Sequence, residues 1–299
     1  MNRQNTFVYH LAALFTIIIW GVTMVSTKLL LREGLSPEEI MIIRFVTAYV
    51  FLWILYPRSH RIKSRRDELI FVGIGITSGS LYFFLENTAL VHTSATNVSL
   101  FCALIPLTTA VFTYFIFREK PLTKRFRAGS VISLAGTVLV ILNGKFSFEI
   151  NPLGDFLAFA AIISWSVYGV LVKCLKGNYN SLFVTRKIFF YGILTMLPYF
   201  FAVAPFDVPA SVLIKPVVWG NLCFLGLIAS SLCYLMWMLS LRNLGVVKTN
   251  SYIYFSPLVT IITAHFVISE HITPYVAGGT VLVLSGLWIA TAKPGTDKS

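Results

Sequence analysis

Acidic residues are scarce in this chain. Twelve Asp and Glu stand against 24 Lys and Arg in 299 residues, and charged residues of both signs make up only 12%. That is about half the share usual in a soluble domain. The shortage excludes an ordinary soluble enzyme, which needs a charged shell over its apolar interior. It also excludes a disordered chain, which combines charge with low hydrophobicity. Cysteine is rare too: Cys102, Cys174, Cys223 and Cys233 lie in or beside apolar runs, and none forms a CxxC pair. A disulfide scaffold and a zinc ribbon are therefore excluded. His10, His60, His92, His265 and His271 show no metal-ligand spacing, so neither a metal nor a cofactor is expected. The net charge of +12 does not point to nucleic acid, because the bases fall in short clusters between apolar runs and share no face.

What remains is hydrophobic. Apolar residues make up 57% of the chain and the mean hydropathy is +0.79, the composition of a polytopic membrane protein. A helix needs about 20 mostly apolar residues to cross a bilayer. With breaks at charged or Pro/Gly/Asn-rich points, the chain divides into ten spans: 8–31, 36–56, 67–91, 93–117, 124–143, 152–175, 179–202, 216–243, 246–268 and 273–292. The expected fold is all-α. The first apolar run is longer than a signal peptide's core and no A-x-A cleavage site follows, so it counts as a span.

Lys and Arg collect on the cytoplasmic side of a membrane protein. The 2–3 and 4–5 connections carry five bases each, among them Arg58, Arg65, Arg118 and Arg127. With the bases of the other connections and ends on that side, 17 of the 24 face one way, against Lys28, Arg32, Lys145 and Lys215 on the other. Both termini are expected in the cytoplasm, with the chain in the cytoplasmic membrane.

The two halves echo each other. Trp20 and Lys28 are eight apart, as are Trp165 and Lys173. Pro106 and Glu119 are thirteen apart, as are Pro257 and Glu270. Gly129 and Gly136 are seven apart, as are Gly279 and Gly286. The repeats are 1–147 and 148–299, five spans each, and an odd number of spans inverts the second copy. Inverted repeats build many secondary transporters, with the substrate site near the midplane between the copies. Pro106 and Pro257 fall near the centres of spans 4 and 9, where a proline kinks a helix and the freed carbonyl is tolerated only against protein or a wet cavity.

Read together, these residues resemble the drug/metabolite transporter superfamily, and within it the ten-span EamA-type transporters. The resemblance covers nearly the whole chain in two copies. The first carries Trp20-Gly21, Arg44-Phe45, Ala89-Leu90-x-x-Thr93-Ser94-Ala95, Pro106, Glu119 and Gly129 with Gly136. In the second, Trp165, Ser240-Leu241, Leu244-Gly245, Pro257, Glu270 and Gly279 with Gly286 answer them. Glu86 in span 3 and Arg186-Lys187 in span 7 depart from the pattern. The resemblance implies export of small metabolites or drugs, commonly amino acids or related compounds, without ATP and without an enzymatic step. Transport of phosphorylated or lipid-linked solutes, or a non-transporting scaffold, is the alternative.

Charges inside a bilayer are costly, so each is a functional candidate. Glu86, near the outer end of span 3, is the candidate for proton coupling, with Asn87 beside it to orient a polar substrate. The competing role for Glu86 is an ion pair with a base such as Arg44. Arg44 is suited to a substrate carboxylate, which it can hold bidentately, or to an interhelical tie. Trp20, Tyr82, Trp165, Tyr168, Trp237 and Tyr254 are the candidate cavity aromatics, and Asn97 and Asn250 the candidate amides. Glu119 and Glu270 suit a structural role, satisfying N–H groups at the start of the next helix. Arg186 and Lys187 point about 100° apart and are assigned no site role. The expected partners are a small-molecule solute, the lipid bilayer and protons. No nucleic acid is expected, and a monomer and a homodimer both fit. Gly73-x-Gly75-x-x-x-Gly79 is not a dinucleotide fingerprint, and the Asn97-Val98-Ser99 sequon falls at the start of a span.

Overall fold

The structure is a computed structural model that describes residues 3–58, 62, 64–92, 98, 101–118, 123–142, 151–175, 179–202, 207–268 and 274–291. Among these residues it is all-helical: α1 (Arg3–Arg32), α2 (Pro37–Leu55), α3 (Arg65–His92), α4 (Ile105–Phe117), α5 (Lys124–Leu142), α6 (Pro152–Cys174), α7 (Ser181–Ala202), α8 (Pro216–Leu244), α9 (246–268) and α10 (Pro274–Thr291). A four-residue helical turn, Ala210–Leu213, precedes α8. Four stretches are by themselves long and apolar enough to cross a membrane: Thr6–Arg32, Arg65–His92, Pro152–Cys174 and Pro216–Leu244. The others are shorter or carry charge, as α2 does with Glu38, Glu39 and Arg44.

Local sequence explains the helix ends. Ser36 caps α2 in a reciprocal box with Glu39, and Pro37 occupies the first turn, where its missing N–H costs nothing. Ser64 accepts the Asp67 N–H to open α3. Asn151 does the same for Gly154 at the start of α6. Gly245, at φ 89, alone separates α8 from α9, a backbone setting that favours glycine. Pro106 and Pro257 share one setting. Pro106 is the second residue of α4, after a turn at Ala103–Leu104. Pro257 is the second residue of the α-helical part of α9, after the 3-10 stretch Ser251–Phe255.

The packing is reciprocal between the halves. Helix α1 lies on α8 and α9, while α6 lies on α3 and α4; α2 packs on α8, and α7 on α3. Pairs of corresponding helices also touch each other. Phe45 of α2 and Phe189 of α7 meet edge to face at 5.3 Å. Helices α5 and α10 cross at their glycines in antiparallel fashion. A Cβ on Gly129 would come 2.5 Å from the Gly286 carbonyl, and one on Gly136 would come 2.7 Å from the Gly279 carbonyl. Small residues there let the backbones approach, the main source of attraction where lipid replaces water.

Both α3 and α8 widen into π-helical turns, at Ile76–Ser80 and Phe224–Leu232. Gly75 beside the first packs on Tyr191 and the Ile188 carbonyl of α7. Gly226 within the second packs on Thr47 and the Arg44 carbonyl of α2. Inserted π turns are frequent at functional sites because they re-aim the residues that follow.

Candidate functional site

A cavity of about 60 Å³ lies between the two sets of helices. It is lined by Ile17, Trp20, Thr23 and Met24 of α1, Arg44 of α2, and Tyr82, Phe83 and Glu86 of α3. Cys102, Ile105, Trp165 of α6, Tyr234 of α8, and Ile253 and Ser256 of α9 complete it. By volume it has room for about four waters, so a larger solute needs the helices to part.

The wall is aromatic. Trp20 touches Trp165 at 5.4 Å, Tyr234 at 5.4 Å and Trp237 at 5.0 Å, and Tyr82 touches Trp165 at 4.8 Å between ring centroids. These rings give a rigid surface that attracts both apolar groups and cations. The Trp20 Nε1 donates to the Ala229 carbonyl at 3.0 Å.

Two charges of opposite sign face this space. Arg44, 5% exposed, donates from Nε to Ser230 Oγ and lays its guanidinium 4.5 Å from the Phe83 ring centroid. Glu86, 6% exposed, accepts from the Tyr82 hydroxyl at 2.5 Å and from Cys102 Sγ at 3.9 Å. Among the described residues no ion pair joins Arg44 to Glu86. The cavity therefore offers a cationic and an anionic group with aromatic faces beside them, suited to an amphipathic solute carrying charge of either sign or both.

Trp20, Arg44, Tyr82, Glu86 and Trp165 of the residues singled out in the sequence thus come together. Tyr168 and Trp237 stand just behind the wall, in ring contact with Trp165 at 5.1 and 6.5 Å. The remaining candidates lie elsewhere. Asn87 turns away from Glu86 and donates to the Pro37 carbonyl at 3.4 Å. Asn250 donates to Thr109 Oγ1 at 2.8 Å, tying α9 to α4. Tyr254 packs with Ala103 and Val283. Asn97, Glu119 and Glu270 lie outside the described residues. Arg186 donates to the carbonyls of Tyr56 and Arg58, and Lys187 pairs with Glu68 at 3.1 Å. These contacts brace the end of α2 and the start of α3, far along the chain from the cavity residues of both helices. Among the described residues no cluster of His, Cys, Asp and Glu could hold a metal.

Sequence reasoning passed over Tyr234, Phe83, Thr23, Met24, Cys102 and Ser256. For Tyr234 a signal existed. The 151-residue offset that relates Pro106 to Pro257 also relates Phe83 to Tyr234, so a cavity residue in one copy pointed to its mate in the other.

The EamA-like transporter family matches this chain twice, over residues 8–142 and 152–292. An uncharacterized transporter of Archaeoglobus fulgidus is 27% identical, covering 95% of this chain and 97% of that protein. A probable terminal-alkyne amino-acid exporter of Streptantibioticus cattleyicolor is 24% identical, covering 93% and 91%. A crystal structure of a protein 18% identical to this chain superposes with a TM-score of 0.75 over 97% of both chains, a likeness of fold.

Proposed function

This chain belongs to the EamA-like transporter family, a family of multi-pass membrane transporters and not of enzymes, and on that footing we propose that it is a secondary active exporter of small amphipathic organic solutes such as amino acids or drugs. One observation carries the reading. Arg44 and Glu86 are buried, unpaired with each other, and face a single aromatic cavity between the repeats. Buried charges kept apart at such cost are retained for a ligand or an ion rather than for stability.

In this proposal ten spans form two inverted five-helix repeats, 1–147 and 148–299, with both termini on the cytoplasmic face of the cytoplasmic membrane. Arg44 takes a solute carboxylate, and its Nε bond to Ser230 of α8 fixes the guanidinium plane across the two halves. The aromatic rings hold the apolar body and any ammonium group. Glu86 exchanges a proton as the cavity opens first to one side and then to the other. A phosphorylated solute would call for several bases, and among the described residues the cavity lining holds one, Arg44.

The experiment is efflux from proteoliposomes preloaded with amino acids and amphipathic metabolites, with and without an imposed pH gradient, and mass spectrometry of what is released. Selective, gradient-dependent release over empty liposomes is expected. Absence of selective release from folded protein overturns the reading.

A further inference from the structure

The indole N–H groups of Trp20 and Trp165, which correspond in the two repeats, have different fates. Trp20 Nε1 donates to the Ala229 carbonyl, inside the π turn of α8. The matching acceptor in α3 is the Ser78 carbonyl, found at the 151-residue offset that relates Gly75 to Gly226. That carbonyl is already occupied, because the Tyr234 hydroxyl donates to it at 2.9 Å. The cause is one oxygen atom. Tyr234 stands where the first repeat has Phe83, and Phe83 has no hydroxyl to compete with Trp20 for Ala229.

Trp165 is left 3% exposed, on the cavity wall, with its Nε1 sheltered and without a partner. The Tyr168 hydroxyl and Trp237 Nε1, on rings that touch Trp165, also lack partners. Buried donors are nearly always satisfied, and an orphaned one needs a reason. Three around one ring next to an aromatic cavity fit a polar group supplied from outside the chain.

We propose that Trp165 is a specificity-determining residue whose Nε1–H donates to an oxygen acceptor, a carboxylate or amide carbonyl, on the transported solute. The inference rests on the transporter reading and deepens it. The class selected is amphipathic amines that also carry a carbonyl-type oxygen, and plain amines of the same shape are rejected. Discrimination of this kind is strong because a site built to form a hydrogen bond is left unpaired by an analogue that cannot.

The test uses the full chain in lipid nanodiscs with 15N-labelled indoles, where six tryptophans give a small spectrum and Trp165→Phe assigns one resonance. The probes are leucine, leucinamide and isopentylamine, which share an alkyl chain and an amine and differ in the acceptor. Leucine and leucinamide are expected to move the Trp165 indole N–H signal downfield, and isopentylamine to leave it in place. In proteoliposomes the wild type is expected to prefer leucine over isopentylamine by about tenfold or more, and Trp165→Phe to lose most of that preference. Tyr234→Phe gives a second route, because it frees the Ser78 carbonyl for Trp165. The preference should fall with Trp165 intact, and the double substitution should add little.

Retention of the preference by Trp165→Phe overturns the proposal. So does leucine binding that leaves the Trp165 signal unmoved, or failure of all three probes to bind protein that releases another solute. Release of no solute at all overturns the transporter reading along with it, a result distinct from the other three.

Discussion

The indole rings of Trp20 and Trp165 meet edge to face, centroids 5.4 Å apart and planes at 85°. One belongs to α1 and the other to α6, at corresponding places in the two repeats. The Phe45–Phe189 contact pairs corresponding residues of α2 and α7 in the same way. A line through both contacts relates the halves, so any rocking of one half on the other must shear these ring pairs. The cavity that would open lies beside the first of them.

Glu86 is the residue on which coupling turns. Glu86→Gln keeps the shape and the Tyr82 hydrogen bond but cannot carry a proton. Gradient-driven efflux is expected to fall at least about tenfold, the size of a lost charge-assisted bond, while exchange of labelled for unlabelled solute persists. Flux measured with and without a pH gradient checks this, and an unchanged response to the gradient in the variant would remove Glu86 from the coupling step.

Arg44 should govern affinity for carboxylate-bearing solutes. A charge-assisted hydrogen bond contributes about 1.5–3 kcal/mol, so Arg44→Ala is expected to raise KM about 10- to 100-fold for such solutes. It should do little for an amine without a carboxylate. Lysine restores the charge but not the fork held by Ser230, so Arg44→Lys should recover only part of the loss. Initial-rate efflux across a concentration series separates KM from maximal rate.

The α5–α10 crossing should be intolerant of bulk. Gly136→Leu places a side chain where even a Cβ comes 2.7 Å from backbone. Overpacking of this kind costs about 1–3 kcal/mol, and the melting temperature in detergent should fall by about 2–10 °C. Gly220, with open space around it, is the control: Gly220→Ala should leave the melting temperature within error.

Sidedness can be read with a membrane-impermeant thiol reagent in a cysteine-free background. Pro209→Cys, between α7 and α8, should label in intact cells. Lys124→Cys, at the start of α5 and exposed, should label only after the membrane is permeabilised. The opposite pattern would invert the proposed orientation.

Charge and duplication made much of this molecule legible in the sequence. An arginine and a glutamate within apolar runs stand out against their background, and Trp20 and Trp165 were marked by their equal spacing from Lys28 and Lys173. Rotational setting was not legible. On helices apolar all round, no polar face says which way a residue points. Asn87, one residue from Glu86, therefore turns to Pro37 while Glu86 meets the cavity. Asn250 reads as a cavity amide by type and proves to be a tie to Thr109. The π turns of α3 and α8 compound the difficulty, since an extra residue per turn rotates everything beyond it, and Tyr234 came into the site by that route.

The repeat is symmetric in backbone but not in charge. The position of Glu86 is occupied in the second copy by Trp237, at the same 151-residue offset. A duplicated scaffold thus brings one carboxyl to its cavity lining among the described residues, where two-fold symmetry would have brought two. With Glu86 as the proton carrier, the stoichiometry is one proton per cycle. Each unit of pH difference across the membrane is then worth 1.36 kcal/mol at most, which caps solute accumulation at about tenfold per unit.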